Sequence, residues 1–154
     1  MQKHLYDDFS SRWSEEVTHV HQLCSEYLSN QLLNTDEIED RKEFTIRIAH
    51  HITSIHPVIE AYEKLEAYIN SFDVHIHFNF VTRLLLPIAQ EMIKLDEGNS
   101  LRASDCYDAL AIAIECQGSF FEAESWSGRA LSTREKFIVI RLPIQKNVQR
   151  LLRR

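Results

Sequence analysis

The chain has 154 residues, 44% of them hydrophobic and 26% charged, with a net charge of −6 and only three glycines and three prolines. That length suits one domain with a sizeable core, and so few turn formers point to an all-α fold. No apolar run approaches the roughly 20 residues of a membrane span, which excludes a transmembrane protein of that kind.

The charge is uneven along the chain. From Arg129 onward eight Lys/Arg face Glu135 alone, so this end carries +7 and residues 1–128 carry −13. The start, MQKHLYDDF, lacks the basic-then-apolar layout of a signal peptide. Three cysteines, Cys24, Cys106 and Cys116, with no CxxC spacing read as reduced thiols, so a cytoplasmic location is expected.

In chain order, Leu5, Phe9, Trp13, Val17, Val20, Cys24, Tyr27 and Leu28 recur every three or four residues, predicting one long amphipathic helix to about Leu33. Asp36 and Glu39 have capping-box spacing for a second helix through Phe44, Ile48, Ile52 and Ile55. Pro57 suits the first turn of a third, through Val58, Tyr62, Leu65 and Ile69. The segment DVHIHFNF alternates like a strand but has no second strand to pair with, so it reads as the lead-in to a fourth helix reaching Leu95 and bent near Pro87. A loop at DEGNS precedes a fifth helix over about 102–116. Gly118 interrupts, and a sixth helix runs from Phe120 to about Ile140, where Phe137–Ile140 is β-branched enough to be extended instead. Pro143 then starts a short basic C-terminal helix.

Residues 104–137 resemble a tetratricopeptide repeat, particularly the longer variety of kinesin light chains. The likeness rests on Tyr107 and Leu110 in large slots, Ala111 in a small slot, Gly118 in the turn, Ala123 in the small slot of the second helix, then Ala130 and Leu131. Ile114 stands where an aromatic is commoner, Ser127 replaces a large aromatic, Gly128 weakens the helix, and Glu135 stands in place of the usual proline. Upstream, IAQEMIKLDEGNS looks like the end of a preceding repeat. The resemblance implies antiparallel hairpins stacked as a short repeat-like domain. Residues 81–142 would form hairpins, 143–154 a capping helix, and 1–80 a helical bundle or degenerate repeats.

The resemblance also implies that the first helix of a pair lines a concave surface. There Asp105, Asp108, Ile112 and Glu115 share one stripe. It is acidic and lacks the cations of a chaperone-tail clamp, so a basic peptide or helix is the expected partner. The basic tail residues Lys146, Arg150, Arg153 and Arg154 form a second expected contact, docking on such a stripe within the chain or in a homo-oligomer. The expected function is therefore a protein-interaction module, an adaptor, scaffold or regulatory subunit, with no enzymatic activity and no cofactor.

Two alternatives come from other classes. Eight histidines, including His19/His21, His50/His51, His56 and His75/His77, raise a metal-binding helical protein. HxH pairs do not share a helical face, adjacent histidines point apart, and HExxH is absent, so no metal site is assigned. The tail raises a nucleic-acid-associated regulator, against which the acidic body and the lack of a helix-turn-helix pattern weigh.

Overall fold

The computed structural model describes the backbone of residues 2–95 and 100–152 and the side chains of 13–95 and 100–137. Among the described residues there are six helices and no strand: α1 (Gln2–Leu33), α2 (Ile38–Ile55), α3 (Val58–Asn70), α4 (Val74–Lys94), α5 (Leu101–Cys116) and α6 (Phe120–Leu152). The fold is all-α. The chain divides into two compact units, residues 1–68 and 69–154.

In the first unit α1 and α2 form a hairpin, antiparallel because the link between them is short and His21 of α1 meets His51 of α2. Leu28 and Leu32 of α1, Ile48, Ala49 and Ile52 of α2, and Val58, Ala61, Tyr62 and Leu65 of α3 are buried. Thr45 is buried too, its hydroxyl donating to the Arg41 carbonyl of its own helix. The helix-2 cap is Glu37 rather than Asp36, and its side chain caps nothing. A start at Ile38 places Glu39 and Asp40 in the first turn, where negative charge meets the positive end of the helix dipole.

The largest departure concerns α1. The stripe expected to face the core leaves Trp13, Val17, Val20 and Tyr27 exposed, with Leu23 beside them. Leu5 and Phe9 of the same stripe lie outside the described side chains. Periodicity shows which residues share a face; it does not say what covers that face.

In the second unit Asp73 caps α4, its carboxylate accepting from the His75 N–H at 2.9 Å. The helix departs from helical dihedrals at His77 (φ −108°, ψ 27°), not at the expected Pro87. The first turn is wound tightly, with both Ile76 and His77 donating to the Asp73 carbonyl, and His77 sets its ring edge-on to Phe72. The bend is made where that capping turn joins the regular helix. Phe80, Val81, Leu84, Leu85, Ile88, Ala89 and Met92 then bury one face of α4.

Ser100 caps α5, accepting from the Ala103 N–H at 3.0 Å. The α5–α6 turn is a Schellman motif. Gly118 N–H donates to Glu115 O (2.8 Å) and Ser119 N–H to Ile114 O (3.3 Å), with Gly118 at φ +83°. The turn sends α6 back along α5, and small residues let the two approach closely. Ala103, Ala111, Ala123 and Ala130 are buried, and the Ser104 hydroxyl donates across to the Ala130 carbonyl at 3.2 Å. Tyr107 and Trp126 fill the remaining space, ring centroids 5.6 Å apart. α5 packs against α4 on one side and α6 on the other.

α6 runs on to Leu152, so Pro143 lies inside it and does not begin a new helix. Proline's fixed φ is a helical value, and one missing N–H weakens a helix without having to end it.

Candidate functional site

The four stripe residues come from one exposed edge of α5. Its buried positions (Ala103, Cys106, Tyr107, Leu110, Ala111, Ala113 and Ile114) are used up by α4 and α6. Among the positions left outside that face are Asp105, Asp108, Ile112 and Glu115. Ile112 and Glu115 are exposed, the two aspartates half-buried.

The aspartates are already engaged. Arg134 of α6 places Nη2 3.3 Å from Asp105 Oδ1 and in direct contact with Asp108 Oδ2. Partial burial works against the guanidinium charge, but the hydrogen bonds and attraction of Asp108 and Asp105 outweigh it and hold Arg134 more firmly protonated. The stripe is thus a place where two carboxylates converge on one guanidinium, with Ile112 and Glu115 continuing past it. Sequence reading found the carboxylates and missed Arg134. Which way Arg134 turns depends on how α6 packs against α5, and nothing in the repeat pattern signals that. Of the tail contacts, the side chains of Lys146 and Arg150, and Arg153 and Arg154 altogether, lie outside the described residues.

Two further clusters appear. In the second unit Cys116 Sγ lies 3.4 Å from His75 Nδ1, beside a hydrogen bond from Gln117 Nε2 to Thr82 Oγ1 at 2.8 Å. Cys116 stands in the last turn of α5 and is half-buried.

In the first unit His21, His50 and His51 gather at the α1–α2 contact. Their ring centroids are 5.0 to 6.1 Å apart, and His21 and His51 hydrogen-bond Nδ1 to Nδ1 at 2.8 Å. The expectation that adjacent His50 and His51 point apart is therefore corrected: both rings flank His21, a meeting set by helix register. Two tetrahedral zinc ligands sit about 3.3 Å apart with Zn–N bonds of about 2.05 Å, and this pair is closer. Among the described residues no group of three or more His, Cys, Asp or Glu side chains is arranged to hold a metal ion. Nearby, a groove of about 690 Å³ is lined by Thr18, Gln22, Ser25 and Glu26 of α1 with Ile52, Ile55, His56, Lys64 and Tyr68 opposite.

Among the described residues no helix is long and apolar enough to cross a membrane. Comparison of the chain with protein-family models, with curated proteins and with solved structures finds no match.

Proposed function

We propose that this chain is a protein–protein interaction module, an adaptor, scaffold or regulatory subunit rather than an enzyme, which takes a basic peptide or helix along the α5 stripe Asp105–Asp108–Ile112–Glu115. The observation that carries this reading is the Arg134 guanidinium held between Asp105 and Asp108. It is an intramolecular example of the ligand chemistry the stripe accepts. The tetratricopeptide-like pattern of 104–137 supports the same reading, since the first helix of such a hairpin lines the binding face.

A partner cation would displace Arg134 or add at Glu115, with Ile112 as the apolar contact between them. Exposed ion pairs contribute about 0–1 kcal/mol each, so charge sets orientation and encounter rate and the apolar contact supplies much of the affinity. The basic tail, Lys146, Arg150, Arg153 and Arg154, is a second contact in this reading, and the three free thiols fit a cytoplasmic setting.

Fluorescence anisotropy with a labelled Lys/Arg-rich amphipathic peptide tests it. Binding that weakens with salt is expected, with a loss of about tenfold (about 1.4 kcal/mol) in Asp108→Asn/Glu115→Gln. Arg134→Gln should bind more tightly than wild type, because it frees both carboxylates. Equal binding of an acidic peptide, or indifference to both variants, would overturn the reading.

A further inference from the structure

The three thiols of this chain stand in three different settings. Cys106 is fully buried in the α5 packing, and burial pushes its thiol up to about 12. Cys24 is half-buried on α1. The histidine one turn before it on that helix, His21, gives its Nδ1 to His51 at 2.8 Å. Cys116 is half-buried too, but among the described residues it is the thiol with an imidazole in reach. Its Sγ lies 3.4 Å from His75 Nδ1, within hydrogen-bond distance for sulfur.

This pair is made by the fold, from residues 41 apart in the chain. His75 stands in the first turn of α4, its N–H held by the Asp73 carboxylate at 2.9 Å, and Cys116 in the last turn of α5. A second bond, Gln117 Nε2 to Thr82 Oγ1 at 2.8 Å, joins the same two helices beside it. His75 is exposed, so a small molecule can approach the base as well as the sulfur. With the ring proton on Nε2, Nδ1 is the acceptor and the thiol the donor, which leaves the sulfur lone pairs free for attack.

We propose that Cys116 and His75 form a nucleophilic thiol pair, and that Cys116 is a site of reversible S-thiolation by low-molecular-weight disulfides. The Cys116 sulfur attacks one sulfur of the incoming disulfide while its proton passes to His75 Nδ1. A new S–S bond forms on Cys116 and the old one breaks. The departing sulfur leaves with the electron pair and collects the proton from the imidazole. One thiol and one disulfide enter, and one of each leaves, so the exchange consumes no further oxidant and a reducing thiol reverses it. The adduct removes the proton that binds Cys116 to His75, and with it that tie between α4 and α5. The proposal uses no residue of the acidic α5 stripe and stands or falls separately from peptide binding.

The test is site-resolved labelling of the intact chain, read by peptide mass spectrometry. Iodoacetamide serves as the kinetic probe and oxidised glutathione as the disulfide. Cys116 should react with iodoacetamide about tenfold faster than Cys24, and Cys106 should stay unlabelled until the chain unfolds. His75→Ala separates proton transfer from access, because trimming the ring opens the sulfur further. The Cys116 rate should nevertheless fall to that of Cys24, while an unchanged Cys24 rate shows the fold intact. Oxidised glutathione should add at Cys116 and be removed by dithiothreitol. Cys24 labelled as fast as Cys116, a Cys116 rate that holds or rises in His75→Ala, or glutathione found at Cys24 instead would overturn the proposal.

Discussion

At Gly118 the chain takes φ +83°, a conformation open to glycine and strained for residues with a Cβ. An added Cβ there meets nothing within 4 Å, so a substitution carries a conformational penalty and no clash. Gly118→Ala should therefore lower stability by about 1–2 kcal/mol, read from the urea midpoint, and Gly118→Asn by less, because asparagine tolerates this region better. A loss well above that range would mean that the turn holds more than its own geometry. The contrast with Gly128 is instructive, since glycine there answers to no backbone need within the chain.

Helix ends are where short-range sequence is most directly translated. Ser100 and Asp73 each cap the following helix with a side-chain oxygen, whereas Glu37 at the start of α2 makes no such bond. Ser100→Ala should cost about 1 kcal/mol, and Glu37→Ser should gain a few tenths to 1 kcal/mol; paired thermal melts of the two variants check both signs. Much of the element level was legible for the same reason. Helix periodicity, the break at Asn34–Asp36, Pro57 and Gly118 all act within a turn or two, and they mark α2, α3, α5 and the start of α6 within a residue or two. Events that need a second helix were not legible. The meeting of His21 with His50 and His51 depends on the register of α1 against α2, and the engagement of Asp105 and Asp108 on the side to which Arg134 turns. The α1 stripe shows the same limit from the other direction, its pattern plain in the sequence and its cover absent from the chain's own described packing.

Across the molecule the titratable groups under stress are sorted by unit, and this gives the two units opposite pH sensitivities. In residues 1–68, burial and the neighbouring His21 and His50 rings lower the His51 pKa below 6.5. The unfolded chain takes up that proton near pH 6.5 while the folded chain resists until lower pH, so stability held above about 6.5 is lost as pH falls. In residues 69–154, burial, helped by Asp105, pushes the Cys106 thiol from 9.0 up to about 12. Burial, with Cys106 adding to it, also raises the Tyr107 phenol above 10.0. Here the unfolded chain loses protons that the folded chain keeps, and stability falls as pH climbs through 9.0 and 10.0. Hydrogen exchange followed by mass spectrometry, corrected for the intrinsic pH dependence of amide exchange, separates the two effects on the intact chain. Acidification from neutral pH should raise exchange first in α1 and α2, and alkali first in α5 and α6 up to Lys136. His51→Gln should flatten the acid response without touching the alkaline one, and Cys106→Ala should soften the alkaline response alone. Equal loosening of both units at either extreme would mean that the chain opens as one cooperative body, and the sorting of charge between units would then have no bearing on its stability.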